Sequence, residues 1–461
     1  MFCHSCFVIF LSSCSIGPNY KRPAIDYPRQ FRSASETIPA KPLADFAWWD
    51  VYQDEILKEL IRTAWTNNYD LRIAVTHVEQ ARARTMQARS QFFPQINYAG
   101  EAAHGKNSSL GTATALGQGA TASSFLADLN AAWEVDLWGR IRRLNESARA
   151  QFLATEEARH GVVLSLVGNV AQAYFELLEL DDELEISKRT TNSFGETLRV
   201  FSQRLEGGVV SKLETSRAEA ALATAAASVP GLESRMVIKE NQINVLLGRN
   251  PGPVPRERTL LEQTMPPEIP AGLPSELLER RPDIRQAEQV VRSANAQVGV
   301  ALGDFLPKIG LTALYGGVSS DLSSILSSGA TVWSVAANVA GPVFQGGRLH
   351  GQYVESKAAW QEAKLHYEQT ALNAFQEVAD ALISRRKLAE VRVQQARAVA
   401  AYREAVEVST QRYIAGKASY YEILEAQQQL FPAEISLAQT QLNQLLVIVQ
   451  LYKAVGGGWL P

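Results

Sequence analysis

From Phe125 to Leu137 every odd position is apolar: Phe125, Ala127, Leu129, Ala131, Trp133, Val135 and Leu137. Between them stand Leu126, Asp128, Asn130, Ala132, Glu134 and Asp136. Successive side chains of a strand point to opposite faces, so the alternation predicts one long strand with an oily face and a wetter one. Trp333, Val335, Ala337 and Val339 alternate with Ser334, Ala336 and Asn338 in the same way. Weaker strand patterns precede each, near 95–104 and 308–318. Most of the remaining chain keeps helical spacing, over about 57–92, 141–206, 212–247, 276–305, 348–414 and 419–454. Pro94 and the pair Gly207-Gly208 are the natural stops. At about 1.5 Å per residue, a helix over 141–206 is a rod on the order of 100 Å long. Val163, Val167, Val170, Tyr174 and Leu177 advance along it by four and three, the seam of rods packed side by side.

The pattern is written twice. Asp70-Leu71-Arg72 matches Asp283-Ile284-Arg285, and Phe93-Pro94-Gln95-Ile96 matches Leu306-Pro307-Lys308-Ile309, both at an offset of 213 residues. Arg140 matches Arg348, and Arg204, Gly208, Ser211 and Glu214 match Arg412, Gly416, Ser419 and Glu422, at an offset of 208. A constant offset over so long a stretch marks a duplicated helix-strand-strand-long helix-helix unit. The expected divisions are a leader at 1–13, an extended segment at 14–55, a first repeat at 56–248, a proline-rich linker at 249–274, a second repeat at 275–456 and a tail at 457–461.

Composition narrows the setting. The net charge of −3 offers no basic footprint for nucleic acid, and no nucleic-acid partner is expected. No run of 18 or more apolar residues follows the N-terminus, which leaves a β-barrel open, because barrel strands carry a weak hydropathy signal. All three cysteines, Cys3, Cys6 and Cys14, lie in the first fourteen residues. Phe7 to Leu11 is an apolar core, and Leu11-Ser12-Ser13-Cys14 resembles a bacterial lipobox, although no Lys or Arg precedes it. Cleavage before Cys14 and acylation of its thiol is the expectation. Ser15 in the next position resembles lipoproteins sent to the outer membrane. No other cofactor is expected.

Four two-faced strands per chain cannot stand alone in a membrane. Lipid offers no partner to an open sheet edge, so the strands must close with those of other copies. Two chains would give eight strands with a lumen filled by side chains, whereas three give twelve, wide enough for water. A homotrimer is the expectation, with Asp128, Asn130, Glu134 and Asp136 facing the lumen. Trp133, Trp138 and Trp333 near strand ends resemble an aromatic girdle.

No catalytic or metal-ligating arrangement stands out. The six histidines show no paired helical spacing, and no nucleophile elbow or phosphate loop is present. Several motifs together resemble outer-membrane efflux proteins, in particular the TolC-like lipoprotein branch that serves tripartite resistance-nodulation-division pumps. They are "GPNYKRP" after the lipobox, the pair Trp48-Trp49, "FFPQI" and "FLPKI", "LWGR" and "FQGGR", and "RLEGGVVSKLE" with "RYIAGKASYYEILEAQ". The resemblance implies a mostly α chain with a membrane β-barrel: a trimeric twelve-stranded barrel in the outer membrane on a long periplasmic α-helical barrel. It also implies an inner tip that opens on docking a periplasmic adaptor protein and an inner-membrane pump, and a passive exit duct rather than an enzyme. The outlet of a type I protein-secretion system and a poreless periplasmic scaffold are the alternative readings.

The duct should narrow near Gly207-Gly208 and Gly416, the turns farthest from the strands. Glu422 and Glu425, three apart on one helix, share a face and would form two acidic rings in a trimer. Their place in "SYYEILEA" is similar to that of paired acidic residues at the family's entrance constriction. Glu214 and Tyr413 match positions the resemblance assigns to closing contacts. Arg217 is the repeat mate of Glu425, so a tip salt bridge is possible. Where some members carry a basic residue, this chain has Ala418, with Lys417 adjacent.

Overall fold

A computed structural model describes residues 15–32, 51, 53–106, 121–263 and 274–457. Cys14, the leader, Trp48-Trp49 and most of the proline-rich linker lie outside the described residues. The first repeat runs α1 (Glu55–Asn67), α2 (Tyr69–Ser90), β1 (Gln95–Lys106), β2 (Thr121–Val135), α3 (Arg140–Glu206) and α4 (Lys212–Leu246). The second runs α5 (Pro274–Arg280), α6 (Pro282–Gly303), β3 (Lys308–Ser319), β4 (Thr331–Ala340), α7 (Arg348–Ile414) and α8 (Tyr420–Ala454). The mates α3 and α7 are both 67 residues long, and α4 and α8 both 35.

Two expected helices are each broken in two. The pattern over 57–92 splits at Asn68, which closes α1 and, through Oδ1, accepts from Leu71 N at 2.9 Å to cap α2. The pattern over 276–305 splits at Arg281, because the residue before a proline avoids helical geometry, and Pro282 then opens α6. At these breaks the repeat is kept at atomic detail. Asn68 Nδ2 donates to Leu246 O at the end of α4, and Arg281 Nη1 donates to Ala454 O at the end of α8, both at 2.9 Å. Each helix end thus abuts the start of another, α4 that of α2 and α8 that of α6. Gly248 and Gly456, at φ of 67° and 76°, turn the chain away beside those breaks, as only glycine does without strain.

The four strands form one antiparallel sheet in the order β1-β2-β3-β4, so the β2–β3 pair joins the two repeats. Its register aligns like with like. Tyr98, Leu129, Tyr315 and Trp333 form one row across all four strands, and Ile96, Ala131, Ala313 and Val335 form the next. That face is oily and open, with Tyr98 87% and Trp333 73% exposed. The opposite face carries the row Asn97, Asn130, Leu314 and Ser334 and the row Ala99, Asp128, Gly316 and Val332. Glycine makes room there: a methyl on Gly316 would stand 2.6 Å from Asp128 Cβ. Among the described residues, strands β1 and β4 are unpaired along their outer edges.

The repeats are not the compact units. One unit comprises Met1–Ala24, His77–Glu156 and Gln286–Tyr367, and the other Ile25–Thr76, Glu157–Arg285 and Glu368–Pro461, so both repeats contribute to both units. The expected seam is core: Val163, Val167, Val170, Tyr174 and Leu177 are buried, as are their mates Ala371, Phe375 and Val378. Helix α3 contains an 18-residue window apolar enough to cross a membrane, but 67% of that window is buried within the chain. Burying a Val or Leu side chain is worth about 1.5–3 kcal/mol, so this stripe stabilises helix packing.

Candidate functional site

Three places carry the candidate functional residues: the polar sheet face, the junction between β2 and α3, and the tip where the long helices turn. On the sheet, Asp128 and Asn130 occupy one face of β2, with Asn130 Nδ2 donating to Asp128 Oδ1 at 3.1 Å. Glu134 shares that face, and its carboxylate takes Arg140 in a two-pronged pair at 3.1 and 2.9 Å. Asp136 requires a correction, because β2 ends at Val135. Its Oδ1 and Oδ2 accept from Ile141 N and Arg142 N at 3.0 and 2.9 Å, and Arg142 Nε pairs with it at 3.1 Å. An acceptor at a helix start satisfies amides that have no partner within the helix, so Asp136 caps α3 instead of lining a strand.

The junction also holds the "GPNYKRP" segment, which lies as an extended strap. Ile16 N donates to Trp138 O at 3.0 Å, and Arg143 reaches Ile16 O at 3.1 Å and Asn19 Oδ1 at 2.7 Å. Asn295 Nδ2 donates to Pro18 O at 2.9 Å, and Gly17, at φ 92°, lies flat against Gly299. Further on, Tyr20 donates to Glu288 at 3.1 Å while Arg22 pairs with the same carboxylate at 3.1 Å. Burial, then the charge of Glu288, pushes the Tyr20 hydroxyl up to about 12. The indoles are tethered as well: Trp133 Nε1 donates to Phe92 O at 3.1 Å and Trp138 Nε1 to Pro307 O at 2.7 Å. Trp333 is the most open of the three, 73% exposed against 37% for Trp133 and 38% for Trp138.

At the tip, Gly208 and Gly416 end the rods in left-handed turns at φ of 69° and 70°. Val209 N returns to Arg204 O at 2.8 Å and Lys417 N to Arg412 O at 2.9 Å, the same closure twice. The two turns are packed together by Phe201, Tyr413 and Tyr420, whose ring centroids lie 4.0–6.4 Å apart. Arg204 stacks over the Tyr413 ring at 4.6 Å. The hydroxyl oxygens of Tyr413 and Tyr420 are buried without a hydrogen-bond partner among the described residues. Burial, then Tyr413, pushes Tyr420 up to about 12.

The sequence-predicted tip residues separate into three groups. Glu214 folds back onto Ser211, accepting from its N at 2.6 Å and its Oγ at 3.1 Å, and so caps α4. Glu422 turns to Arg412 at 3.8 Å, and both are half exposed. Glu425 and Arg217 are exposed, and no ion pair joins them to each other among the described residues. Arg217 borders an open groove of about 480 Å³ with Phe194, Tyr421, Leu424 and Phe431.

The model of the family described as "Outer membrane efflux protein" matches residues 60–249 and 273–457, the two repeats in turn. The chain belongs to the outer membrane efflux protein family. It is 32% identical over 457 residues to the cation efflux system protein CusC of Escherichia coli O6:H1, covering 98% of each. It is 34% identical over 466 residues to the solvent efflux pump outer membrane protein SrpC of Pseudomonas putida, covering 98% of this chain and 97% of that one. Among solved structures, the outer-membrane channel OprN superposes with a TM-score of 0.89 at 31% identity, covering 97% of this chain and 100% of that one.

The protein is thus an outer-membrane efflux channel, and its geometry adds residues that periodicity alone misses. Arg143, Arg204, Arg412, Phe201 and Tyr420 all act there without standing out in the hydrophobic pattern. For Arg143 the visible signal is the run "GRIRR", since three arginines at a strand-to-helix junction need three separate partners. They find Glu134, Asp136 and the strap.

Proposed function

We propose that three copies of this efflux channel close their sheets into a twelve-stranded barrel, oily face to lipid and Asp128, Asn130 and Glu134 to the lumen. The single observation that carries this reading is the sheet itself, a fully registered pair of opposite faces with two unpaired edges. An edge left unpaired in hydrocarbon costs several kcal/mol per group, which closure by sister copies removes. The long helices extend the duct into the periplasm, where a periplasmic adaptor and an inner-membrane pump dock at the tip. Cargo moves passively; the named relatives serve cation and solvent efflux, and the choice of cargo lies with the pump.

Two details belong to the same proposal. Cys14 carries the lipid, in keeping with the strap that holds its neighbour Ser15 beside Gly139. Glu422 and Glu425 form the acidic constriction, held by Arg412 and by the aromatic packing of Tyr413. Rings of carboxylates at a narrow aperture favour cations.

The test is single-channel recording of the purified trimer in planar bilayers. Glu422→Ala with Glu425→Ala should raise conductance and reduce cation preference. Unaltered selectivity would remove the two residues from the constriction, and a protein with no conductance under any condition would favour a poreless scaffold. Mass spectrometry of the mature N-terminus tests the lipid on Cys14.

A further inference from the structure

The two hairpins of the sheet are paired identically once the repeat is allowed for. Gln95 faces Ala132 across the β1–β2 pair, and Lys308 faces Ala340 across the β3–β4 pair. Gln95 and Lys308 are 213 residues apart and Ala132 and Ala340 are 208 apart, the same two offsets that relate the repeats in sequence. Every other pair follows: Tyr98 opposite Leu129 becomes Leu311 opposite Ala337. The pair that joins one hairpin to the next, β2 with β3, occurs once in the chain. Its counterpart would be a β4 with a β1, and within one chain those two strands stand at opposite edges.

Carrying the β2–β3 register over by the same offsets fixes the missing pair. Ala132 opposite Thr312 becomes Ala340 opposite Ala99, and Phe125 opposite Ser319 becomes Trp333 opposite Lys106. Resting on the shared barrel proposed above, we infer that β4 of one copy joins β1 of a sister copy in this register, residues 333–340 running against 106–99. Two features that play no part in the derivation agree with it. The faces match, because Trp333, Val335, Ala337 and Val339 meet even-numbered positions of β1, the face of Ile96 and Tyr98. A slip of one residue would set oily side chains against the lumen. The polar residues match as well. Asn338 falls opposite Glu101 of the sister copy on the lumen face, whereas a slip of two residues either way sets Glu101 opposite Ala336 or Ala340. Glu101, a charge that the strand alternation did not single out, thus joins Asp128 and Glu134 around the lumen, on the seam between copies.

The test is cysteine cross-linking in the full-length protein. Ala336→Cys is combined in turn with Ala99→Cys, Glu101→Cys, Ala103→Cys and Gly105→Cys, all on the lumen face. Directly opposed Cβ atoms lie about 4.5–5.5 Å apart and diagonal ones about 7–8 Å, so a disulfide discriminates between them. Mild oxidation with copper phenanthroline should join copies into covalent trimers through Ala103→Cys several-fold more than through any of the other three. Ala340→Cys with Ala99→Cys, at the far end of the seam, should link equally well. The parent chain, with Cys3, Cys6 and Cys14, sets the background. Stronger linking through one of the other three positions, in a protein that native mass spectrometry shows to be trimeric, would overturn the register and leave the shared barrel standing. Linking through Ala103→Cys but not between Ala340→Cys and Ala99→Cys would overturn it too, by showing a seam broken along its length. A trimer that links at no position would mean that these edges do not pair. Chains that stay monomeric would sink the shared barrel and the seam with it.

Discussion

The two repeats fold to matched lengths and matched turns, and then spend their polar residues differently. At the helix breaks, Asn68 in the first repeat and Arg281 in the second donate to mate carbonyls, Leu246 O and Ala454 O. Asn68 does so as a neutral cap. Arg281 does so as a cation, holding Asp283 at 2.6 Å and Glu377 at 2.7 Å while only 7% exposed. At the junctions, Asp136 caps α3 in one repeat, and its mate in the other is the exposed Phe344. At the tip, one glutamate caps its helix and its mate faces an arginine. Duplication therefore fixes the backbone, while single substitutions at mate positions differentiate what each repeat does.

The largest effect is expected at Arg281. Arg281→Ala removes the charge-assisted bond to Ala454 O and leaves the half-exposed Asp283 and Glu377 without their cation, so the loss should be about 2–3 kcal/mol. Asn68→Ala loses a cap and one hydrogen bond, about 1–2 kcal/mol. Thermal unfolding in detergent, followed by circular dichroism, should rank them in that order. Equal losses would mean that the charge at the second break contributes nothing beyond the cap it replaces.

A second difference sits midway along the rods. Glu179 and Glu183, one turn apart on α3, are 4% and 3% exposed. Arg235 of α4 and Gln439 of α8 each reach Glu183 at 3.1 Å, so two carboxyls share one cation. Burial, then the hydrogen bond to Glu183 and its charge, pushes Glu179 up to about 8. The ordinary value is 4.5, so between 4.5 and about 8 the folded chain holds the extra proton. Stability from this group is therefore full below that window, falls as pH rises through it, and is level above it. Glu179→Gln keeps the hydrogen-bonding shape without titrating, so its Tm relative to the parent should be higher at pH 8 than at pH 5, each pH value being roughly an end of the window. The mate of Glu179 is the exposed Lys387, which pairs with Glu390 at 2.8 Å. Lys387→Ala should shift stability by only a few tenths of a kcal/mol, with no such slope.

Periodicity made the backbone legible and left the polar partners hidden. The rods, the strands and the repeat follow from spacing, because burial of a stripe or a face recurs at a fixed period. The break at Arg281 was written in the following Pro282. The break at Asn68 rests on one side chain capping a helix, a signal lost within a continuous helical pattern. Asp136 continued the alternation of β2 in sequence, yet two unpaired amides at the start of α3 draw its carboxylate out of the strand. Strand periodicity cannot report that competition. Glu214 and Glu422 looked equivalent for the same reason: the repeat fixes their positions but not the partner each chooses.

That last pair offers the finest comparison. Glu214 satisfies the amide of Ser211 at 2.6 Å, whereas the turn before α8 has no such bond and Glu422 spends its charge on Arg412 at 3.8 Å. Glu214→Ala should loosen the α3–α4 turn by about 1 kcal/mol, seen as faster hydrogen exchange at the first amides of α4. Glu422→Ala loses only a solvent-screened pair, so exchange at the first amides of α8 should stay within a few tenths of a kcal/mol of the parent. Single-channel current should respond in the opposite order, because a freed carboxylate ring alters the aperture while a frayed cap need not. If Glu214→Ala changed selectivity as much as Glu422→Ala, the two turns would be equivalent parts of one gate, and the division of labour between the repeats would end short of the tip.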